Sequence, residues 1–425
     1  MRRLLSLMGA VLLLASCQSV SSRGVSSPPP EGQPIFLGTK HRLRSAILEE
    51  ERGFHLYLPP GYAESSERYP VLYLLDGDAH FHHATGVVQF LAGNAHIPPM
   101  IVVGVPNTNR TRDLTPPVRG DTRMPGDTSS RSVARSLPTA GGADRVLRFL
   151  EEELAPHIEA HYRTQPYRVL VGHSFGGLFA IHALMNRPQS FHAYLAISPS
   201  LWWNDGELVA GAVKSLERLP EQERFLYMTM GEEGDDMLKP IQQLAATLEQ
   251  ARPARLAWRY AFLQGDHHAS TPHRTLYDGL EAAFEDLRLA QWEARTGGLE
   301  QVEARYARLS KRLGFELQPP EELINVMGYS LLQRGKVEAA LTVFRRNVER
   351  HGDSANAHDS LGEGLEAAGQ LDAALESYQR ALTLGIQANK VHPAYQQHIE
   401  GVMRKLADAP KPPTPPVQTS GDGAP

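Results

Sequence analysis

Runs of apolar residues alternate with amphipathic segments from about residue 35 to residue 292. The runs predict strands at 54–58, 71–75, 100–105, 168–171, 193–197, 225–230 and 258–263. Most of them are continuously apolar, as is typical of strands buried on both faces of a parallel sheet. Apolar residues recur every three or four positions over 144–158, 177–185, 240–250 and 274–292, which predicts helices between the strands. The pattern therefore indicates an α/β fold with a mostly parallel central sheet flanked by helices.

After residue 292 the strand pattern stops and the sequence becomes helical to about residue 398. Seven residues recur there at an offset of 34: Gly328, Leu331, Gly335, Ala339, Ala340, Leu341 and Phe344 reappear as Gly362, Leu365, Gly369, Ala373, Ala374, Leu375 and Tyr378. This pattern of small residues with an aromatic residue in the second helix resembles the tetratricopeptide repeat. Two such repeats are too few to stand alone, so we expect helices at 297–313 and 393–406 to cap them and the whole to pack on the α/β domain.

Composition and charge narrow the function. Hydrophobic residues make up 41% of the chain and charged residues 21%, which is typical of a globular protein. The net charge of −5, with no basic block, disfavours nucleic acid as a partner. A single cysteine excludes an internal disulfide and cysteine-rich metal sites.

That cysteine, Cys17, follows an export signal. Arg2 and Arg3 form a positive start, and an apolar segment over 4–15 is too short to span a membrane. The segment 14–17 resembles the lipobox of bacterial lipoproteins, which implies cleavage before Cys17 and a lipid that anchors the protein to the membrane. The alternative is an ordinary secretory signal. By the same resemblance, Gln18 favours the periplasmic side of the outer membrane.

We therefore divide the chain into five segments. These are a lipoprotein signal peptide at 1–16, a flexible tether at 17–34, an α/β domain at 35–292, a helical domain at 293–408 with repeats at about 322–387, and a Pro-rich tail at 409–425. The tail is predicted to be disordered. A long segment at 107–139 has no periodicity, which is typical of a lid, a binding loop or a partly disordered segment.

A glycine-rich turn follows the predicted strand at 168–171. It reads Gly172-His173-Ser174-Phe175-Gly176-Gly177, and a predicted helix starts directly after it. Strand, tight turn and helix form the context of a nucleophile elbow, in which the serine hydroxyl projects above the sheet. We therefore predict Ser174 as a nucleophile; the alternative is a turn whose serine faces solvent.

A serine nucleophile needs a base, and the base needs a carboxylate that orients it. In hydrolases of this fold the acid and then the histidine follow the serine along the chain. Acidic residues follow the predicted strand at 225–230, within 231–236, and histidines follow the strand at 258–263, within 265–270. Both loops leave the sheet at the edge where ligand sites of open α/β sheets lie.

The chain from about residue 35 to residue 290 resembles the esterase branch of the α/β hydrolases that includes ferric-enterobactin esterases, S-formylglutathione hydrolases, and feruloyl or acetylxylan esterases. The motifs that carry the resemblance are Leu58-Pro59-Pro60-Gly61-Tyr62, Tyr69-Pro70-Val71-Leu72-Tyr73-Leu74-Leu75-Asp76-Gly77, Arg112-Asp113-Leu114-Thr115-Pro116, the turn around Ser174, Ser198-Pro199-Ser200-Leu201-Trp202-Trp203 and His268-Ala269-Ser270-Thr271-Pro272. The resemblance implies Glu233 as the acid and His268 as the base. Asp235 and His267 remain the alternatives, and Asp266 is expected to shape the turn.

An oxyanion hole needs two backbone N–H groups aimed at the developing negative charge. Phe175, directly after the nucleophile, supplies one, and we assign the other to Gly77 or Asp78. Trp202 and Trp203 are candidates for an aromatic wall of the substrate site, with ordinary core packing as the alternative. The loop of Asp76, Asp78, His80, His82 and His83 also suggests metal ligands, but the mechanism requires neither a metal nor a cofactor, and we predict none.

These residues predict a serine carboxylic-ester hydrolase that acts on small ester substrates, including siderophore esters. The alternatives are an acyltransferase with the same triad and a non-catalytic lipoprotein that binds protein partners through its helical repeats. The repeats could equally be a structural extension. Arginines in the long loop, with Arg112 as the candidate substrate-binding residue, suggest an anionic substrate; a solvated basic loop is the alternative.

Overall fold

An eight-stranded sheet forms the centre of the structure, a computed structural model that describes residues 35–120, 122–125, 132–296 and 298–408. The predicted signal peptide, Cys17, the tether and the Pro-rich tail lie outside the described residues. From Gly38 onward the described chain belongs to one compact unit. None of the described helices has the length and apolar character needed to cross a bilayer.

The strands follow the order β1-β2-β4-β3-β5-β6-β7-β8 across the sheet. They are β1 (Thr39–Arg44), β2 (Glu51–Tyr57), β3 (Tyr69–Leu75), β4 (Ile101–Val105), β5 (Thr164–His173), β6 (Ala193–Ile197), β7 (Arg224–Met230) and β8 (Leu256–Phe262). β2 pairs antiparallel with both β1 and β4, whereas all other pairs are parallel. The carboxyl ends of β3 to β8 therefore lie along one edge of the sheet, where α/β proteins place their ligand sites.

The mainly parallel sheet predicted from the apolar runs is confirmed, and each predicted run coincides with a strand. The sequence pattern missed β1, because Thr39–Arg44 is an edge strand with mostly exposed, polar residues. An edge strand lacks the buried apolar run that identifies the inner strands, so only its pairing with β2 defines it.

Within the described residues, ten α-helices connect and flank the strands. They are α1 (Gly77–Gly93), α2 (Arg110–Leu114), α3 (Val133–Ser136), α4 (Ala143–Phe149), α5 (Ala155–His161), α6 (Phe175–Asn186), α7 (Glu207–Ala210), α8 (Ala212–Leu216), α9 (Asp235–Ala251) and α10 (Thr271–Ala283). A π-helical turn at Leu150–Leu154 joins α4 to α5, and a 3₁₀ turn at Trp203–Gly206 precedes α7. The long loop predicted at 107–139 contains α2 and α3.

The two faces of the sheet have separate cores. One face packs against α4, α6 and α9, with Phe149, Phe179 and Leu244 fully buried. The other face packs against α1 and α10, and the same core continues through Val302 and Ile324 into the helices that follow. The C-terminal helices thus contribute to the core that covers the second face of the sheet.

Seven helices follow α10 in the part of the chain that the structure describes. They are α11 (Glu285–Thr296), α12 (Leu299–Leu313), α13 (Glu321–Gln333), α14 (Val337–Arg350), α15 (Ala355–Ala367), α16 (Leu371–Gln387) and α17 (Pro393–Asp408). A Cβ on Gly328 would lie 2.3 Å from the Phe344 ring, and a Cβ on Gly362 would lie 2.4 Å from the Tyr378 ring. The residues that recur at an offset of 34 therefore make the same contact in both helix pairs, a small residue against an aromatic ring.

Candidate active site

Ser174 lies in a sharp turn between the end of β5 and the start of α6. Its backbone has φ 63° and ψ −114°, a conformation that residues with a side chain rarely adopt. Glycines allow this turn: a Cβ on Gly172 would lie 2.2 Å from the carbonyl oxygen of Gly176, and one on Gly177 would lie 2.8 Å from that of Ile197. The turn has the geometry of a nucleophile elbow.

His268 and Glu233 form a hydrogen bond at the same edge of the sheet. Glu233 lies in the loop between β7 and α9, and His268 lies in the loop between β8 and α10. The Nδ1–H of His268 donates to Oε2 of Glu233. Because an ionised carboxylate only accepts, the proton of this bond lies on Nδ1, and the neutral imidazole presents Nε2 as a proton acceptor. His268 therefore has the tautomer that a general base needs.

The alternative acid and base have other partners. Asp235 opens α9, where its exposed carboxylate pairs with Lys239 at 3.0 Å. Nδ1 of His267 accepts from the backbone N–H of Ala269 at 3.2 Å. Of the four candidates, the structure brings together Glu233 and His268.

Asp266 lies in the turn that carries these histidines. Its carboxylate accepts from the hydroxyl of Ser270 at 2.7 Å and pairs with Arg274 at 3.3 Å. These contacts connect the turn to the start of α10, which is the turn-shaping placement expected from the sequence.

The carboxylate of Glu233 is buried and has several donors. Only 3% of its side chain is exposed, and this burial acts to raise its pKa. Hydrogen bonds from His268, from the hydroxyl of Ser198 at 2.6 Å and from the N–H of Gly231 at 3.1 Å outweigh the burial. They hold the pKa of Glu233 below its usual value, so the group is ionised at neutral pH.

The candidate oxyanion residues begin two helices. Phe175 is the first residue of α6, and Gly77 and Asp78 are the first two of α1, so their N–H groups have no acceptor within their helices. A Cβ on Gly77 would lie 2.5 Å from the backbone nitrogen of Val105, which places the start of α1 tightly against β4. Of the two alternatives in α1, Asp78 lines the cavity next to Ser174.

That cavity has a volume of about 530 Å³. Its lining includes Ser174 and His268, together with Asp78, His80 and Arg110. The open mouth gives a small ester room to place its carbonyl beside the serine hydroxyl, and the charged and polar side chains of the lining can form hydrogen bonds with it.

Asp76 holds the cavity wall together and is only 4% exposed. The guanidinium of Arg110 donates to both of its carboxylate oxygens, at 2.7 and 3.0 Å, and Asn107 donates to one of them at 2.6 Å. Arg110 also donates to the carbonyl oxygen of His173, at 3.1 Å. The sequence did not predict this partnership, because it forms only where the segments that follow β3 and β4 come together.

Arg112, the arginine assigned to the substrate, has a different environment. Its guanidinium donates to Glu50 at 2.7 Å and to Asp113 at 2.8 Å, and the buried Arg52 bonds the same two carboxylates. The hydrogen bond from Arg112 is the main reason that the pKa of Glu50 falls to about 2. We therefore correct the assignment: Arg110 lines the cavity, whereas Arg112 belongs to an ion-pair network beside it.

Trp202 and Trp203 pack behind the oxyanion residue Phe175. Their ring centroids lie 6.2 and 5.6 Å from the Phe175 ring, and Trp203 is only 2% exposed. Trp203 also lines a second cavity of about 290 Å³, together with His182. Of the two interpretations of these tryptophans, the contacts favour core packing that supports Phe175.

A row of imidazoles lies beside His268. His173 packs on His268 with ring centroids 4.5 Å apart, and Nδ1 of His80 lies 3.1 Å from Nε2 of His83. Burial lowers the pKa of both His173 and His83 to about 4. These two imidazoles are neutral at pH 7, so they add no positive charge to the site.

Comparison with known proteins identifies the family. Residues 45–279 match the model of a family described as "Putative esterase". The chain belongs to this esterase family. The matched segment contains Ser174, Glu233 and His268, whereas the helices from α11 onward lie beyond it.

Two curated relatives in the comparison have siderophore esters in their names. The chain is 34% identical over 179 residues to ferri-bacillibactin esterase BesA of Bacillus subtilis, which covers 39% of this chain and 60% of that protein. It is 39% identical over 156 residues to siderophore enterobactin esterase of Emericella nidulans, covering 33% of this chain and 49% of that protein. The chain thus spans about half to three-fifths of the length of these relatives.

The crystal structure of an IroE-like serine hydrolase from Shewanella oneidensis has a similar fold. It is 31% identical to this chain with a TM-score of 0.64, and the match covers 73% of this chain and 99% of that one. The match supports the α/β-hydrolase fold predicted from the sequence.

Proposed function

We propose that this protein is a serine carboxylic-ester hydrolase that works through an acyl-enzyme on Ser174. The observation that carries the proposal is the hydrogen bond between Glu233 and His268, which lie at the edge of the sheet where Ser174 occupies a nucleophile elbow. Membership in the esterase family and the shared cavity of Ser174 and His268 support the same conclusion.

The proposed reaction has two halves. Nε2 of His268 takes the hydroxyl proton while Ser174 Oγ attacks the ester carbonyl, and the N–H groups of Phe175 and Asp78 stabilise the oxyanion. The imidazolium then returns the proton to the leaving alkoxide, and the acyl group stays on Ser174. In the second half His268 activates a water, which releases the acid and restores the serine.

We propose siderophore esters as the substrate class. The support is the named activity of the two relatives, together with an open cavity at the serine whose lining includes Asp78, His80 and Arg110. A screen of a catecholate trilactone siderophore, a fusarinine-type ester, a feruloyl ester and p-nitrophenyl butyrate, read by mass spectrometry of the products, tests this choice. Equal or better turnover of the feruloyl or butyryl ester would contradict it.

The first prediction concerns the nucleophile. Ser174→Ala should lower kcat/KM for p-nitrophenyl butyrate by roughly 10³-fold or more, because the acyl-enzyme can no longer form. Ser190→Ala is a matched control, since the Ser190 hydroxyl is buried and has no hydrogen-bond partner among the described residues. Turnover by the Ser174 variant at the rate of this control would exclude the proposed mechanism. An added alcohol that became the main acyl acceptor would instead show acyl transfer.

The second prediction concerns Cys17, in the segment outside the described residues. We propose that a lipid on Cys17 anchors the enzyme to the periplasmic side of the outer membrane, because the sequence around it resembles a lipobox. Cys17→Ser should move the protein from the membrane fraction to the soluble fraction and abolish labelling by a clickable palmitate analogue. A variant that stays in the membrane fraction would contradict the anchor.

A further inference from the structure

We propose that Ser198 is a positioning residue of the active site, which holds the carboxylate of Glu233 in the orientation that His268 needs. This inference rests on the proposed function, since it assigns a role within the same triad. Ser198 follows β6 directly and is completely buried. Ser198 is the first residue of the motif Ser198-Pro199-Ser200-Leu201-Trp202-Trp203, and the sequence alone assigned it no role.

The hydroxyl of Ser198 joins the acid loop to the base loop. Its Oγ donates to Oε1 of Glu233 at 2.6 Å and lies 2.9 Å from Oγ1 of Thr271. Thr271 in turn donates to the carbonyl oxygen of His268, at 3.1 Å. Together with the bond between His268 and Glu233, these contacts form a closed ring of hydrogen bonds around the acid–base pair.

The number of hydroxyl protons decides which contacts in this ring are strongest. Two hydroxyl protons, one on Ser198 and one on Thr271, serve three contacts. An ionised Glu233 can only accept, so the Ser198 proton goes to it and the Thr271 proton is shared between Ser198 Oγ and the His268 carbonyl. That carbonyl has a second donor, since Nε2 of His173 lies 2.8 Å away. Oε1 of Glu233 therefore depends on Ser198 and the N–H of Gly231, and Ser198 gives the shorter bond.

The backbone of Ser198 indicates that this side chain is needed. Its φ is 42°, a left-handed conformation that disfavours residues with a Cβ. Strained residues of this kind concentrate at functional sites, where surrounding contacts maintain them. The N–H of Ser198 donates to the carbonyl of Thr229 at 3.0 Å, a backbone bond that glycine would make equally well. A substitution of Ser198 by glycine would therefore keep this backbone bond and lose the hydroxyl.

Glycine at this position is therefore an informative variant. Ser198→Gly removes the hydroxyl and relieves the strained backbone, so it should melt at a higher temperature than Ser198→Ala, which loses the same hydrogen bonds. Ser198→Ala removes the hydroxyl and keeps the strained backbone. In both variants kcat/KM for p-nitrophenyl butyrate should fall about 10- to 100-fold, because a buried charged acceptor loses a donor. Rates are divided by the concentration of active enzyme, which is measured as the amount of Ser174 that a fluorophosphonate labels.

The pH profile separates positioning from a general structural effect. A carboxylate with one donor fewer has more of its negative charge available to the Nδ1–H of His268, so it stabilises the imidazolium that forms when Nε2 gains a proton. The acidic limb of kcat/KM should therefore move to higher pH in both Ser198 variants, whereas Ser190→Ala should keep the wild-type limb. Loss of folding alone would reduce the labelled fraction and leave this limb in place.

Each outcome supports or overturns one of the two proposals. If Ser198→Gly has the wild-type kcat/KM and an unmoved acidic limb, the positioning role is excluded. The proposed function would still stand, provided that Ser174→Ala is inactive. Full activity in Ser174→Ala would remove the proposed function itself, and the role of Ser198 with it. A lower kcat/KM together with the shifted limb, in variants that still fold and are labelled at Ser174, is the result that supports the inference.

Discussion

Two acidic residues of one loop, Glu233 and Asp235, differ in surroundings more than in chemistry. Glu233 is buried and accepts from three donors, one of them His268, whereas 78% of the Asp235 side chain is exposed and the carboxylate pairs with Lys239. An exposed ion pair contributes little free energy, while a buried carboxylate with matched donors orients its neighbour. At the scale of the residue, burial and hydrogen-bond partners thus separate a catalytic acid from a surface charge.

This difference gives the third prediction. Glu233→Gln should lower kcat/KM by roughly 10²- to 10⁴-fold, because a neutral amide neither fixes the Nδ1–H tautomer of His268 nor stabilises its imidazolium. Asp235→Asn is the same chemical change two residues away and should leave kcat/KM within about threefold of wild type. Similar losses in both variants, at equal melting temperatures, would contradict the assignment of the acid.

At the scale of the element, close contacts between helices and their neighbours depend on small residues. Gly328 in α13 and Gly362 in α15 each face an aromatic ring of the following helix, Phe344 and Tyr378 respectively. The rings occupy the space that a Cβ would fill, so a methyl group at either glycine must displace buried atoms. The repeated spacing in the sequence thus records a repeated packing contact.

The fourth prediction tests this packing. Gly362→Ala should lower the free energy of unfolding by about 1–3 kcal/mol, because the added Cβ would lie 2.4 Å from the Tyr378 ring. Gly86→Ala in α1 is the matched control, since a Cβ there has nothing within 4 Å. That variant should gain about 0.5–1 kcal/mol from the better helix propensity of alanine. Chemical unfolding measures both; a Gly362 variant as stable as wild type would contradict the packing argument.

At the scale of the whole molecule, the buried histidines link stability to pH. Burial lowers the pKa of His83, His173 and His192 to about 4, against an ordinary value of 6.5. At a pH between 4 and 6.5 these histidines bind protons in the unfolded chain but not in the folded chain, so acidification favours unfolding. The contribution of these groups is present above pH 6.5 and is lost as the pH falls toward 4.

The fifth prediction isolates one of these groups far from the catalytic pair. His192 stacks on Tyr167, and its Nδ1 accepts from the N–H of Arg168 at 3.1 Å. Between pH 7 and pH 5 it should account for about 2 kcal/mol of lost stability. In His192→Asn, which cannot titrate, the decrease in the free energy of unfolding between these pH values should be about 2 kcal/mol smaller than in wild type. An unchanged decrease would show that His192 titrates alike in both states.

The sequence by itself determined the parallel sheet, the turn around Ser174 and the helix pairs, because each leaves a local periodic or glycine-rich signal. The edge strand β1 left no such signal. The sequence also reduced the acid to Glu233 or Asp235 and the base to His268 or His267. The resemblance favoured Glu233 and His268, but no local pattern separates candidates that lie only one or two positions apart in the same loop.

Tertiary structure decided the rest. It placed Glu233 in the buried position beside His268, put Arg110 in the cavity and Arg112 in an ion-pair network, and gave Ser198 its contact with the acid. The physical reason is common to all four: hydrogen bonds and burial depend on which loops meet at the carboxyl ends of the strands. These contacts join residues that are tens of positions apart in the chain, so no local sequence pattern predicts them.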